Sequence, residues 1–312
     1  MKMSEKAVEL YGLGISSVDY LVLMETYPRV NEKTEAVMTS VQGGGPVATA
    51  LAAAARLDIS SAICSVIGQD VEGNIIKEQF RSQNVSIDHL ICDPCVRTPK
   101  AFIWIEKTSG LRTIVLDKLD SRLPKNSELR HDIIRNAKVF LFDGRGKDMT
   151  LTALKTAKTG NVLTVWDAGN VRPDMEEYFD YIDIMIASWD FAYAYTQQQD
   201  PNRALHMIRK RFSGEIAITL GERGVIAMQE DTVFAIPAFN VNALDTTGAG
   251  DVFHGVFCAE YIRTINHYSF YECLRTAAAA AALSCCSIGG RAGLPDYKSI
   301  NELLKMNHDQ AT

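Results

Sequence analysis

Apolar residues along this chain gather into short runs, and several of those runs lead into a stretch with helical spacing. Residues 61–67 form an apolar run of strand length, and 71–83 behind it place their apolar positions on one helical face. The pair repeats as a strand at 137–142 and a helix at 149–159. Further strands are predicted at 161–166, 182–187 and 215–220, the last followed directly by 224–228 and by the strand-like 233–241. This alternation predicts an α/β fold, a mostly parallel central sheet with helices on both faces. Such sheets bind ligands beyond the carboxyl ends of their strands, so chemistry is sought just after each one.

Two stretches break the rhythm. Residues 18–41 carry a Tyr-Pro turn, and 100–117 read as two strands around a Thr-Ser-Gly turn, a hairpin by turn chemistry. These insertions, about 18–41 and 97–121, are expected to build a small antiparallel β lid on a single α/β domain spanning 1–312. Phe102 and Trp104 share one face by the period of two and are expected to be buried against a neighbour.

The strongest chemical signal is Asp245-Thr-Thr-Gly-Ala-Gly-Asp251, which opens a helix striped by Val252, Phe253, Val256 and Phe257. Gly248 and Gly250 permit close backbone approach. The amides of Gly248, Ala249 and Gly250 then lie at a helix N-terminus, where an anion is favoured. A carboxylate at the same place is a poor device for holding a phosphate. It makes sense if Asp251 takes a proton while the amides bear the charge of a transferring phosphoryl group.

Composition narrows the field. The 312 residues hold 32 Lys+Arg against 38 Asp+Glu, a net charge of −6, with 47% hydrophobic and 22% charged residues. These are globular proportions, and the acidity argues against a sequence-independent grip on nucleic acid. The apolar stretch 276–286 is short of the roughly 18 residues that a bilayer needs, so no membrane partner is expected. The opening MKMSEKAVEL lacks the apolar core of a signal peptide. The seven scattered cysteines then read as reduced thiols in the cytoplasm. Cys92-Asp-Pro-Cys95 has no second pair at metal spacing and reads as free thiols in a loop. Cys285 and Cys286 read as helix packing, and His254 as a residue that lines a pocket.

The Asp245-to-Asp251 motif resembles the C-terminal signature of the PfkB carbohydrate kinases, and the resemblance extends over nearly the whole chain. Gly12-Leu-Gly14 with Asp19 is similar to that family's first strand and substrate-binding aspartate. Gly43-Gly44-Gly45-Pro46, a tight turn into an Ala-rich helix, is similar to its N-terminal signature. Gly68, Asp70 and Gly73 fit its Gly-x-Asp-x-x-Gly step. Thr219-Leu-Gly221-Glu-Arg-Gly224 resembles its nucleotide-binding turn, and Gly289-Gly290 its adenine-side loop. The resemblance implies a ribokinase-like fold in which Asp19, Gly43, Gly44 and Gly45 orient a sugar-like acceptor. Ser188, Thr219, Gly221, Gly224 and Gly290 would serve the nucleotide, and Asp251 would be the base for phosphoryl transfer from ATP, with Mg2+ carried by the nucleotide.

The chain departs from the family in two places. Ala48 stands where the family usually has Asn, so one sugar hydrogen bond is lost or comes from elsewhere, with Thr49 as a candidate. Ser188-Trp-Asp-Phe191 stands in place of Asn-x-x-Glu near magnesium, and Asp190 is the nearest carboxylate to Phe191. Arg145 follows an apolar strand immediately, where it can grip an anionic group on the acceptor, with Lys33 as a second cation. A surface pairing of Arg145 with Asp143 or Asp167 is the alternative. Gly-Gly-Gly-Pro-x-Ala-Thr-Ala, Arg145 and Gly-Gly-Arg-Ala-Gly together resemble the sulfofructose-kinase-like branch.

The reading is therefore an ATP-dependent sugar kinase acting on a hydroxyl, a primary alcohol by preference. The rivals are a non-catalytic nucleotide or sugar sensor, and a nucleoside kinase with Phe102 or Trp104 clamping a base. A homodimer joined through the lid is expected, because an inserted sheet with open edges invites a partner.

Overall fold

The chain is described by a computed structural model over residues 7–308; the first six residues, which begin the opening segment read above, lie outside it. Its central sheet has ten strands. β1 (Leu10–Leu13) lies between β4 (Ser61–Gly68) and β9 (Val139–Phe142), parallel to both. Beyond β9 the order continues through β10 (Leu163–Ala168), β11 (Ile184–Ser188) and β12 (Glu215–Thr219), all parallel. The antiparallel β13 (Val225–Gln229) and β14 (Thr232–Ile236) complete that side. β5 (Val85–Ser86) and β6 (Leu90–Asp93) both pair with β4. The chain leaves β1 for β4 on one side and returns to β9 on the other. That reversal opens a crevice at the carboxyl ends of β1 and β9.

Alternation of side chains along each strand feeds two apolar cores. Leu10, Val165, Ile184 and Ile186 point into one, under helices α1 (Pro46–Arg56), α7 (Ala249–Arg263) and α8 (Phe270–Ser284). Tyr11, Trp166, Met185 and Ala187 point into the other, under α4 (Lys147–Thr159), α5 (Trp189–Thr196) and α6 (Pro201–Arg209). The expected helix after β4 is α2 (Val71–Ser82), capped by the Asp70 side chain. α3 (His131–Asn136) and α9 (Tyr297–His308) complete the layers. The strand expected over 233–241 stops at Ile236, because Pro237 has no N–H to continue the ladder. Cys285 and Cys286 follow the end of α8 and do not pack within it.

The two insertions form a separate four-stranded sheet. β2 (Ser17–Met24) and β3 (Met38–Gly44) make one antiparallel pair, and β7 (Lys100–Glu106) and β8 (Arg112–Asp117) the other. The two pairs join through β2 and β7, which run parallel because α1, β4 and α2 intervene between them. Register assigns the faces. Asp19 lies opposite Ala101 and Gln42, Leu21 opposite Ile103, and Leu23 opposite Ile105; the apolar members of this row are buried. Tyr20, Phe102 and Trp104 occupy the other face, where Phe102 and Trp104 are 40% and 42% exposed and Phe102 stacks on Tyr20. Their expected burial does not occur within the chain. They also face away from Asp19, so they cannot clamp a base beside it.

Candidate active site

The loop before α7 is built around Asp245. One of its carboxylate oxygens accepts from the Thr247 amide (2.9 Å) and hydroxyl (2.7 Å), and the other from the Gly289 amide (2.8 Å). The first aspartate of the motif therefore staples its own loop to the C-terminal one. Gly248 caps α7 at φ 76°, and a Cβ on it would lie 2.5 Å from the Cα of Gly290. Glycine is thus required at this crossing on both conformational and steric grounds.

Of the three amides expected to receive an anion, that of Ala249 turns back to Thr246 O at 3.3 Å. Those of Gly248 and Gly250 have no acceptor among the described residues, and the Cβ direction of Gly250 is open for 4 Å. Asp251 follows in the first turn of α7. Burial, then the charges of Asp167 and Asp19, push its carboxyl well above the ordinary range, while Arg291 and Arg112 oppose them. His254, one turn on, donates from Nδ1 to Gly250 O at 2.6 Å, and its Nε2 lies 3.6 Å from Asp167 Oδ1. It is buried, and its Nε2 also lies 3.2 Å from Ile186 O, which ties α7 to β11.

Of the residues expected to orient the acceptor, Asp19 lies within β2 and is pushed up to about 6 by burial, against the pull of Arg291 and Ser17. A Cβ on Gly44 would sit 2.1 Å from its carboxylate. Gly43 and Gly44 belong to β3, so the turn into α1 reduces to Gly45 at φ 95°. The Gly43 amide, expected to face the acceptor, donates to Gln79 Oε1. Thr49, the candidate to replace the missing Asn, has a buried hydroxyl that accepts from Arg291 Nε at 3.3 Å.

Arg291 is the residue that sequence reasoning missed as a site element. It is only 6% exposed, donates to Gly44 O at 3.1 Å, and stacks over Phe80 at 5.0 Å. Its guanidinium would collide with a Cβ on Gly43. Burial lowers its pKa to about 10, opposed by Asp19 and Asp251. The available signal was a lone Arg inside Gly-Gly-Arg-Ala-Gly, whose burial no local pattern reveals.

Arg145 stands at the crevice beyond β9 and is ion-paired through Nη1 with the buried Asp143. Arg172, after β10, donates from Nε to Asp143 O at 3.2 Å. Burial and then the charge of Arg145 lower the pKa of Arg172. Arg145 and Arg172 line a cleft of about 620 Å³ with Lys118, Lys147 and Tyr178. A larger cavity of about 700 Å³, near Asn84, His89 and Arg130, contains none of the candidate residues. Lys33 lies exposed in the connection between β2 and β3, beyond the far ends of the strands that hold Asp19 and Gly44; no hydrogen bond or ion pair joins it to another candidate among the described residues.

Of the residues expected to serve a nucleotide, Ser188 caps α5 by accepting from the Phe191 amide at 3.0 Å, and donates to Gly169 O at 3.1 Å. Phe191 is buried edge-on to Trp166, at 5.3 Å, so this position serves the core. Thr219 ends β12 and donates to Ala187 O. Gly221 has φ 59° with open space around it, whereas a Cβ on Gly224 would strike Ile236 O at 2.1 Å. Asp70 holds the Thr98 amide at 2.8 Å as well as capping α2, which makes its motif a structural staple. Cys92 lies in β6, Cys95 is exposed after it, and all seven cysteines are free thiols. Among the described residues, no helix is long and apolar enough to cross a membrane, and no three His, Cys, Asp or Glu side chains group as a metal site.

The chain is 26% identical over 309 residues to a ribokinase of Haemophilus influenzae, covering 94% of this chain and 97% of that one. It is 27% identical over 285 residues to fructokinase-2 of Oryza sativa, covering 84% of each. Among solved structures, the ribokinase of Arabidopsis thaliana complexed with ribose and ATP superposes with a TM-score of 0.81 at 24% identity, over 96% of this chain and 99% of that one. Residues 13–297 match the pfkB family carbohydrate kinase profile, and the chain belongs to that family.

Proposed function

We propose that this protein transfers the γ-phosphoryl group of ATP to a hydroxyl of a sugar or sugar-like acceptor, with the whole chain acting as one catalytic unit under its lid. The observation that carries the reading is the conjunction at the start of α7. Two amides without a backbone partner and an upward-shifted carboxylate, Asp251, lie on one helical turn.

An ordinary carboxyl near pH 4 is a weak acceptor for an alcohol proton, and the upward shift of Asp251 narrows the gap. Asp251 receives the proton as the acceptor oxygen bonds to phosphorus and the P–O bond to ADP breaks. The Gly248 and Gly250 amides bear the charge on the transferring group. Asp19, supported by Arg291, orients the acceptor hydroxyls. Thr219, Gly221 and Gly224 border the nucleotide. Phe191 is core-packed, so Asp190, an exposed carboxylate in the first turn of α5, is the residue that would help hold magnesium, which when bound would neutralise charge on the phosphates. A sensor that only binds would have no use for Asp251. The free thiols suit a reducing cytoplasm.

The acceptor we favour is anionic, as in sulfofructose-kinase-like enzymes. Arg145 and Arg172 flank one cleft at the crevice, and only Arg145 has a carboxylate partner among the described residues. We also propose that a second copy covers the outer lid face of Tyr20, Phe102 and Trp104.

The test is an ADP-release screen over neutral sugars, acid sugars and nucleosides, repeated with Asp251→Asn. The variant is expected to fold, to bind ATP and to lose about 10²–10⁴-fold in kcat. Turnover near that of the parent would remove Asp251 from the role of base.

A further inference from the structure

The lid touches the catalytic loop through a residue with no part in the scheme above. Arg112 opens β8 opposite Ile105, which places it on the inner face with Asp19, Leu21 and Leu23. Its Nη1 donates to the hydroxyl of Thr246, 134 residues away, in the loop between Asp245 and Asp251. No carboxylate pairs with Arg112 among the described residues, unlike its neighbours Arg97 and Lys107, which hold Asp117 and Glu25. Its charge nonetheless reaches the centre, since Arg112 is one of two cations that oppose the upward push on Asp251.

We propose that Arg112 is a positioning residue that latches the lid to the anion-hole loop and thereby couples lid closure to phosphoryl transfer. Thr246 is a suitable catch. Its carbonyl accepts the Ala249 amide, so a force on Thr246 is transmitted directly to the first turn of α7, where Gly250 and Asp251 lie. A hydroxyl also gives a releasable partner. A buried carboxylate at the same point would hold the guanidinium permanently and keep the acceptor out. Closure excludes water from the phosphoryl group, so a lid without its latch should let water compete with the acceptor.

This inference rests on the kinase reading for its activity measurements, and hydrogen exchange supplies a measurement that does not. Arg112→Ala is expected to lower kcat roughly 10²-fold, the scale of a misplaced catalytic group. Its ATP hydrolysis without acceptor should rise relative to acceptor phosphorylation, and the KM for ATP should hold. Arg112→Lys, which keeps the charge and a donor, should recover most of the loss. Thr246→Val should mimic Arg112→Ala, and the double variant should be no worse than Arg112→Ala alone. Amide exchange across β7 and β8 should quicken in Arg112→Ala. Parental kcat and parental water leakage in Arg112→Ala would overturn the proposal, as would fully additive losses in the double variant or unchanged exchange of β8. If the parent releases no ADP with any acceptor, the kinase reading fails and the exchange measurement alone decides the latch.

Discussion

Three consecutive glycines answer to three different neighbours. Gly43 makes room for the Arg291 guanidinium, Gly44 for the Asp19 carboxylate, and Gly45 for Ile15 O at φ 95°. Asp19 is in turn a costly residue for the fold. Its carboxyl is pushed up to about 6 by burial, so the folded state binds its proton more tightly than the unfolded chain does. The stability this brings is full below pH 4 and is lost as pH rises through about 6. Asp19→Asn, which cannot ionise, should therefore melt higher than the parent at pH 8 and alike at pH 4, while its acceptor KM rises. Equal melting differences at both pH values would contradict the burial argument. Arg145 is a second residue whose environment decides its use. In pairing it with Asp143, the structure realises one of the two alternatives open at the sequence level, and a guanidinium has donors left for a ligand. Arg145→Ala should raise the KM for an anionic acceptor by roughly one to three orders of magnitude and leave the KM for ATP nearly unchanged. A parent enzyme that prefers neutral sugars would end that reading.

Helix α7 carries the turn proposed above as catalytic, and its position depends on contacts with two other elements. Gly255 packs so closely on α1 that a Cβ would lie 2.0 Å from Ala50 O. Backbone cannot yield as a side chain does, so Gly255→Ala should cost about 1–3 kcal/mol, read as a lower melting temperature. Activity should fall with it, because α7 would shift relative to β11, whose Ile186 O lies 3.2 Å from His254 Nε2. An unchanged melting temperature would show that the interface has slack. The strand–helix rhythm that placed α2, α4 and the strands between them was legible in the sequence because period and length carry it. The end of β14 was not, since one proline outweighed an apolar run that continues to Val241. α5 and α6, with their Ser188 and Asp200 caps, were legible in principle from those caps and from Pro201.

The lid is the feature of the whole molecule that most needs a partner. Its inner face is occupied by Leu21, Leu23, Ile103 and Ile105, whereas Phe102, Trp104 and Val115 stand exposed on the other side. Edge strands with apolar faces are aggregation sites unless they are covered. Light scattering at micromolar concentration should give twice the 34.5 kDa chain mass. Replacing Phe102 and Trp104 together by Glu should give monomers that retain their fold. A monomeric parent would refute the proposal.

By itself the sequence determined the α/β class, the lid insertions and the family, because each rests on local information: periodicity, turn chemistry, and a seven-residue motif whose parts are contiguous. The placement of Asp251 in the first turn of a helix was readable for the same reason. Tertiary structure alone decided what meets them. Arg291 lies behind Asp19 only because the loop after α8 folds onto β3 and α1, and Arg112 reaches Thr246 only because the small sheet meets a loop 134 positions away in sequence. Likewise Asp245, Asp70 and Thr49 are held by backbone and side-chain partners distant in sequence. The division follows the range of the forces involved. Backbone geometry and side-chain period act between near neighbours and leave a trace in the order of residues. Burial and charge pairing depend on which surfaces the completed fold brings together.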